Sequence, residues 1–271
     1  MTDRFFARLR RRIERVDSVV SVGLDPDLDR LPPSATDHGL PRWAFNRRVI
    51  DATHEHAAAF KPNAAFYEGE RGWRALRETA AYAAGRDVPV LLDAKRGDIG
   101  VSARQYADVL DWVDAITVSP YLGRDALSPF LSRADAGVFV LCRTSNAGGA
   151  DLQALELASG EPLYERVAAL ADVWNEHGNV GLVVGATAPG ELERVRELVD
   201  LPFLVPGVGA QGGDLEAAVA YGIVDGVGLI NSSRGIVFAG DEASDVTDLD
   251  GYARAAGEAA KRLKRRIEQH R

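Results

Sequence analysis

The chain has 271 residues, of which 46% are hydrophobic and 27% are charged, and its formal net charge is −8. This length suits one α/β barrel, which typically needs roughly 250 residues. The negative charge argues against a nucleic-acid partner, no run approaches the ~18 apolar residues of a membrane span, and one cysteine excludes an internal disulfide. We therefore expect a cytoplasmic protein with a single domain over residues 1–271 and no membrane or nucleic-acid partner.

The N-terminal segment is rich in arginine and carries Phe5, Leu9 and Ile13 at helical spacing. A transit peptide or a membrane-surface helix could share these features, but both are usually poor in acidic residues, and this segment contains Asp3 and Glu14. We predict a helix that packs on one end of the domain.

Short β-rich runs alternate with helix-length segments along the rest of the chain. We predict strands at Val19–Leu24, Ala59–Pro62, Val88–Ala94, Ala115–Val118, Gly137–Cys142, Gly181–Val184, Phe203–Val205 and Gly226–Ile230. We predict helices near 43–57, 70–84, 101–111, 124–134, 162–177, 189–199, 213–221 and 249–269.

This alternation indicates a parallel sheet that is covered on both faces by helices. Eight such units favour an α/β fold of the (β/α)8 TIM-barrel type. An open doubly wound sheet is the alternative, but the first β–α turn lacks a Gly-x-Gly-x-x-Gly motif. The long loops 25–42 and 144–161 both follow strands, so we expect them on the face where barrel active sites lie.

The third predicted strand ends in the charged run Asp93-Ala94-Lys95-Arg96-Gly97-Asp98. Strand alternation places Asp93 and Lys95 on the same face. A salt bridge that closes the strand end would explain a generic Asp-x-Lys, but three charges at this position are costly to desolvate. We therefore interpret Asp93, Lys95 and Asp98 as catalytic. The carboxylates should keep Lys95 protonated, so that it serves as a cation and a proton donor.

Glycines and an arginine follow the last two predicted strands. They are Gly207, Gly209, Gly212 and Gly213 after the seventh strand, and Ser232, Ser233, Arg234 and Gly235 after the eighth. Glycines let backbone N–H groups approach an anion, and arginine offers a bidentate fork. Ordinary turn chemistry could explain the glycines alone, but barrels commonly bind phosphate at this position. The five histidines do not cluster in a metal-site pattern, so we expect no metal site.

These motifs resemble those of the orotidine 5′-phosphate decarboxylase family, in order and over nearly the whole chain. The matching segments are Val22-Gly23-Leu24-Asp25-Pro26-Asp27, Phe60-Lys61-Pro62-Asn63, Asp93-Ala94-Lys95-Arg96-Gly97-Asp98-Ile99-Gly100, Thr144-Ser145-Asn146, Val205-Pro206-Gly207-Val208-Gly209-Ala210-Gln211-Gly212-Gly213 and Asn231-Ser232-Ser233-Arg234-Gly235-Ile236. The chain is most similar to the longer branch of the family, since the shorter branch usually has Gly in place of Ser233.

The resemblance implies an enzyme of pyrimidine biosynthesis that converts orotidine 5′-monophosphate (OMP) to UMP and CO2 without a cofactor. It implies that Lys95 protonates C6 of the pyrimidine and that Asp93 lies against the departing carboxylate. It further implies a homodimer with shared active sites, in which Asp98 and Ser102 serve the site of the neighbouring subunit.

The resemblance also implies the residues that bind the substrate. Asp25 and Lys61 would contact the ribose, Ser145 the pyrimidine edge, Pro206 the base pocket, Gln211 both phosphate and pyrimidine, and Ser233 and Arg234 the phosphate. Two alternatives stay open: Asp25 could instead form an Asx turn before Pro26, and Thr144 could read the base in place of Ser145.

Related barrels share the Asp-x-Lys-x-x-Asp pattern, namely the magnesium-dependent keto-gulonate phosphate decarboxylases and hexulose phosphate synthases. These use an acidic metal ligand at the end of the second strand, where this chain has Lys61, whose charge would repel a divalent cation. A phosphate-binding isomerase barrel and a barrel retained only as a scaffold are further alternatives. The isomerase interpretation does not explain Asp93, Lys95 and Asp98. A lost charge at one of the matched positions would suggest a scaffold, and none is lost.

Overall fold

The computed structural model describes residues 4–208, 212–242 and 246–271. The strands within these ranges are β1 (Val20–Leu24), β2 (Ala59–Pro62), β3 (Leu91–Arg96), β4 (Ala115–Val118), β5 (Gly137–Arg143), β6 (Val180–Val184), β7 (Phe203–Val205) and β8 (Leu229–Ser232). The helices there are α1 (Phe5–Val16), α2 (Pro33–Thr36), α3 (Pro41–Thr53), α4 (Glu70–Gly85), α5 (Gly100–Ala107), α6 (Arg124–Leu131), α7 (Ala150–Gln153), α8 (Leu163–Trp174), α9 (Pro189–Leu198), α10 (Leu215–Gly222), α11 (Arg234–Val237) and α12 (Leu249–Glu268).

All the strand pairs are parallel, in the spatial order β2-β1-β8-β7-β6-β5-β4-β3. The two outer members of this order also meet, through the bridges Phe60–Val90 and Asn63–Asp93. The sheet therefore closes on itself, and the predicted (β/α)8 TIM barrel is confirmed.

The barrel strands are apolar because both of their faces are buried. Every residue of β1, β2, β4, β6 and β7 is buried, and rings such as Phe60, Phe139 and Phe203 are fully enclosed. Polar side chains are concentrated where the strands end, so they gather at one mouth of the barrel.

The predicted N-terminal helix is confirmed as α1, which packs on the opposite end of the barrel. Its residues Phe5, Leu9 and Ile13 are buried, and the Phe5 ring packs edge-on against Phe139 with ring centroids 6.0 Å apart. Among the described residues, no helix is both long and apolar enough to cross a membrane.

Three strand predictions, for β1, β5 and β6, miss one boundary by a single residue, and those for β3 and β8 miss both boundaries by two or three residues. The third strand begins at Leu91 and continues to Arg96, with a register irregularity between Leu92 and Arg96 against β4. The eighth begins only at Leu229, because Asp225 and Gly226 form a turn with positive φ angles of 48° and 75°. Both shifts reflect local backbone geometry that an apolar run does not encode.

Candidate active site

A cavity of about 590 Å³ opens at the C-terminal ends of the strands. It is lined by eight of the predicted site residues: Asp25, Lys61, Asp93, Lys95, Ser145, Pro206, Ser233 and Arg234. A second cavity, of about 460 Å³, lies on the outer surface between α3 and α4 and contains none of them. Side chains far apart in sequence thus converge at the mouth of the barrel.

Asp93 lies between two ammonium groups at the base of this cavity. Its Oδ1 is 2.6 Å from Lys95 Nζ, and its Oδ2 is 3.1 Å from Lys61 Nζ. The side chains of Asp93 and Lys61 are only 13% and 5% exposed, whereas that of Lys95 is 49% exposed. Lys95 is therefore the more accessible ammonium, whereas Lys61 lines the cavity as a largely buried one.

The electrostatics of this array keep Asp93 ionised. Burial alone would raise the pKa of Asp93, but the positive charges of Lys61 and Lys95 outweigh it and hold the pKa far below its ordinary value. Burial alone would likewise lower the pKa of Lys61, but Asp93 and Asp25 reverse this effect and raise it. The site therefore presents a fixed negative charge between positive charges.

We expect the stabilising effect of Asp93 to depend on pH. Because its pKa is depressed by folding, its contribution is fully present above about pH 4 and is lost as the pH falls toward the folded pKa. Asp93→Asn should cost about 3–5 kcal/mol of unfolding free energy at pH 7, since it breaks a buried pair. Urea unfolding at pH 7 and pH 3 measures this: the difference between wild type and variant should shrink at pH 3, and an unchanged difference would contradict the ion pairing.

The backbone at Lys95 has an unusual conformation. Its φ is +49°, in the left-handed region that non-glycine residues seldom adopt, and it lies within the irregular stretch of β3. Such an irregularity can re-aim a side chain at the rim of a barrel. Here it accompanies a Lys95 side chain that contacts Asp93 while remaining open to the cavity.

Thr117 on β4 is a site residue that the sequence interpretation missed. Its hydroxyl donates to Asp93 Oδ1 at 2.9 Å and accepts from the Lys95 backbone N–H at 2.9 Å. The side chain is fully buried. A single polar residue within the apolar run Ala115–Val118 was the available signal, but the strand register is needed to place it beside Asp93.

Replacing Thr117 with valine keeps the shape of the side chain and removes both hydrogen bonds. We expect kcat to fall about 10- to 100-fold, because a buried donor left without its acceptor costs about 1–3 kcal/mol and the bond that fixes Asp93 is lost. Thr117→Ser, which keeps the hydroxyl, serves as the control. Equal losses in both variants would show that packing rather than hydrogen bonding is at stake.

Asp25 lies at the end of β1 with one oxygen available. Its Oδ1 is buried and has no hydrogen-bond partner within the described ranges. The Asx-type bond of this loop belongs to Asp27 instead, whose Oδ1 accepts from the Asp29 N–H at 3.2 Å. An unpaired buried carboxylate oxygen that lines a cavity is suited to accept a ligand hydroxyl.

The loops after β7 and β8 form the opposite wall. Gly207 has a φ of +98°, and its carbonyl accepts a hydrogen bond from the Gly213 N–H at 3.0 Å. This bond joins the two described ends of the loop. After β8, Ser233 precedes α11, whose first residue is the exposed Arg234. The Ile236 and Val237 N–H groups bond to the Ser233 carbonyl, which leaves the Arg234 and Gly235 N–H groups at the start of the helix to bind an anion. Gln211 and Gly209 lie outside the described residues.

Ser233 is packed directly against β1. A Cβ atom at Gly23 would lie 1.8 Å from Ser233 Oγ, so only glycine fits opposite this serine. Asn231 is buried, accepts from the Ser21 hydroxyl at 3.1 Å and donates to Ser233 Oγ at 3.4 Å. The position of Ser233 is therefore fixed from β1 and β8 together.

The segment after β5 presents two hydroxyls with different roles. The Thr144 hydroxyl is occupied by its loop, since it donates to Asn146 Oδ1 at 2.7 Å. In contrast, the Ser145 hydroxyl makes no hydrogen bond to any residue that the structure describes. Both residues line the cavity, but only Ser145 has its hydroxyl free for a ligand.

Among the predicted site residues that the structure describes, Asp98 and Ser102 are the two that do not line this cavity. Asp98 Oδ1 accepts from the adjacent Ile99 N–H at 2.8 Å, and in the described part of the chain it forms no ion pair. Ser102 is exposed on α5. Two large apolar side chains next to them in sequence are also exposed, Ile99 at 62% and Val101 at 65%.

Acidic, cysteine and histidine side chains do not gather elsewhere. Within residues 4–208, 212–242 and 246–271, no three of them come together in a group that could hold a metal ion. At the end of β2, the position nearest to Asp93 is occupied by the Lys61 ammonium.

The fold and the cavity define the class of protein: a (β/α)8-barrel enzyme with a charged site at the carboxyl ends of its strands. The family model of the orotidine 5′-phosphate decarboxylase / HUMPS family matches residues 18–249. The chain therefore belongs to this family.

Individual relatives agree with this assignment over the whole chain. This chain is 70% identical to an orotidine 5′-phosphate decarboxylase of Halorubrum lacusprofundi, and the match covers 98% of this chain and 99% of the relative. The structure of Leishmania donovani OMP decarboxylase has 42% identity and a TM-score of 0.83, with 99% of both chains covered. The structure of Leishmania donovani UMP synthase has 45% identity and a TM-score of 0.84, and this chain covers 57% of its length.

Proposed function

We propose that this chain decarboxylates OMP to UMP and CO2, with Lys95 as the proton donor to C6. The observation that carries the proposal is the exposed Lys95 ammonium, which lies 2.6 Å from a buried carboxylate in a cavity that also contains Arg234. The direct test incubates the purified protein with OMP and follows UMP and CO2; a protein that forms neither would refute the proposal.

The array supplies the steps of the reaction. The substrate carboxylate enters beside ionised Asp93, and the bond from C6 to the carboxyl carbon breaks. CO2 leaves, the electron pair stays on C6, and the Lys95 ammonium transfers a proton to C6. Solvent then reprotonates Lys95. No electron acceptor is required, because the bonding pair ends in the new C–H bond.

Repulsion by Asp93 is only part of the catalysis. Two like charges about 4 Å apart repel by roughly 4 kcal/mol at an effective dielectric near 20, while large enzymatic accelerations require up to about 23 kcal/mol. Most of the remainder must come from stabilisation of the carbanion by Lys95 and from binding energy at the remote phosphate. Asp93 therefore acts chiefly by holding Lys95 in place.

The remaining site residues bind the substrate. Asp25 and Lys61 hold the ribose, Ser145 reads the pyrimidine edge, and Pro206 lines the base pocket. Ser233, Arg234 and the loop that includes Gln211 hold the phosphate. The unpaired oxygen of Asp25 and the free hydroxyl of Ser145 support these roles.

Replacing Arg234 with alanine should raise KM for OMP about 10- to 100-fold, since a charge-assisted bond to phosphate contributes about 1.5–3 kcal/mol. The Kd for UMP should rise in proportion. Arg254→Ala, which removes an exposed arginine of α12 outside the cavity, is the matched control. If both variants keep the wild-type KM, Arg234 does not bind the phosphate.

We also propose that the chain is a single catalytic domain that works as a cytoplasmic homodimer. Asp98 and Ser102 do not line the cavity of their own subunit, and the exposed apolar residues Ile99 and Val101 lie next to them in sequence. An apolar surface of this kind is typical of a protein interface. Across it, Asp98 would support Lys95 and the ribose in the neighbouring site, and Ser102 would add a ribose contact.

The magnesium-dependent sugar-phosphate reaction of related barrels is the alternative. Its acidic ligand at the end of the second strand would coincide with Lys61, whose ammonium is instead buried against Asp93. No described observation favours that reaction over decarboxylation of OMP.

A further inference from the structure

We propose that Arg143, Gln153 and Gly149 form a positioning unit that holds Thr144-Ser145 against the pyrimidine and thereby sets the affinity for the base. The inference rests on the proposed function, because the base pocket is that of the proposed nucleotide substrate. None of these three residues lines the cavity, so they act through the segment that does.

Arg143 is the last residue of β5, and it is a buried charge, only 8% exposed. Its Nε lies 2.5 Å from Glu191 on α9, and its Nη1 donates to the Thr144 carbonyl at 2.9 Å and to Gln153 Oε1 at 3.3 Å. A buried guanidinium gains little stability beyond a hydrophobic residue of similar size. Its partners instead connect the segment after β5, which contains Thr144 and Gln153, to Glu191 on α9.

Gln153, on α7, binds back to the start of its own loop. Its Oε1 accepts from the Thr144 N–H at 2.9 Å, and its Nε2 donates to Thr144 Oγ1 at 2.9 Å. The side-chain amide of Gln153 therefore holds both the backbone N–H and the hydroxyl of Thr144. This closes the loop from Thr144 to Gln153 and fixes the backbone immediately before Ser145.

Gly149 leaves the space in which this network forms. A Cβ atom there would lie 2.7 Å from Arg143 Nη1 and 2.9 Å from both Gln153 Oε1 and Thr144 Oγ1. Its φ of −57° is accessible to any residue, so the space and not the backbone conformation demands glycine. The neighbouring Gly148 differs, because a Cβ there would meet nothing nearer than 3.6 Å.

Ser145 is held from the other side as well. A Cβ atom at Gly185 would lie 2.8 Å from Ser145 Cα, and the Thr187 hydroxyl donates to the Ser145 carbonyl at 3.0 Å. The backbone of Ser145 is thus confined between the loops after β5 and β6, while its hydroxyl stays open to the cavity. A hydroxyl fixed in this way can discriminate one base edge from another.

The two adjacent glycines provide a matched test. Gly149→Ala places a methyl group in the network, whereas Gly148→Ala adds one that meets no atom nearer than 3.6 Å. We expect Gly149→Ala to weaken binding of UMP about ten-fold, the equivalent of one lost hydrogen bond, and to leave binding of ribose 5-phosphate within about two-fold, since this ligand has no base. Gly148→Ala should match wild type for both ligands. Calorimetric titration of the wild type and both variants with both ligands gives the six dissociation constants.

Gln153→Ala is a second variant that creates no clash, and it decides the question if Gly149→Ala does not fold. It should show the same selective loss of UMP affinity, and Gln153→Glu, which keeps the acceptor oxygen, should fall between Gln153→Ala and wild type. Equal loss of UMP and ribose 5-phosphate, or no loss of either, would overturn the inference. A wild-type protein that binds no UMP and forms none from OMP would instead overturn the proposed function, and the inference with it.

Discussion

Replacing Lys95 with alanine is expected to lower kcat for OMP decarboxylation by at least about 10³-fold, while KM stays within a few-fold of wild type. The ammonium lies 2.6 Å from Asp93 and is the exposed member of the array, so no other described cation is equally placed to protonate C6. The ribose and phosphate contacts are left unchanged, which is why binding should survive. The loss of OMP absorbance under saturating substrate measures both constants.

Lys95→Arg separates proton transfer from charge. Guanidinium keeps the positive charge beside Asp93 but does not release a proton at accessible pH. We expect its kcat to stay within about ten-fold of the alanine variant. A kcat near that of wild type would show that Lys95 acts only as a cation and that the proton comes from elsewhere.

Two variants that are each inactive as homodimers should regain activity when one subunit of each forms a heterodimer. We expect Asp98→Ala to lower kcat about 10²-fold, because it removes a charged contact to the neighbouring site. If Asp98 serves the neighbouring subunit, a heterodimer of Lys95→Ala and Asp98→Ala contains one fully native site and one doubly altered site. Its activity should therefore be about half that of the wild-type dimer.

The heterodimer can be isolated by giving the two variants different affinity tags and purifying on both in turn. Each homodimeric variant, carried through the same steps, is the control. If Asp98 instead serves its own subunit, neither site is native, and the heterodimer stays as inactive as its parents. Failure to recover any doubly tagged protein would contradict the dimer itself.

The barrel and the location of the site follow from the sequence because they depend on local patterns. Apolar runs such as Ala59–Pro62 and Ala115–Val118 coincide with observed strands, and the charges at the end of β3 lie at the mouth where the cavity opens. Strand alternation also predicts the contact between Asp93 and Lys95. It does not predict the positive φ at Lys95, because that φ lies within a register irregularity between β3 and β4, which depends on the neighbouring strand.

Contacts between strands account for what the sequence could not reveal. Thr117 contributes to the array only because the register of β3 and β4 brings its hydroxyl to Asp93. Gly23 is required only because Ser233, more than 200 positions later, packs against it. From the sequence, Arg143 is only the last residue of an otherwise apolar strand. Its role becomes visible through its contacts with the Thr144 carbonyl and with Glu191 on α9. Such roles arise from closure of the barrel and have no sequence signature of their own.

The measurement that tests the central claim most directly is the rate of OMP decarboxylation by the purified protein in the presence of EDTA. The Lys61 ammonium lies 3.1 Å from Asp93 and would repel a divalent cation at this site, so we expect OMP absorbance to decline at the same rate with and without the chelator, with UMP as the product. An inactive protein in EDTA that recovers on addition of Mg²⁺, or one that acts on a sugar phosphate and not on OMP, would contradict the account.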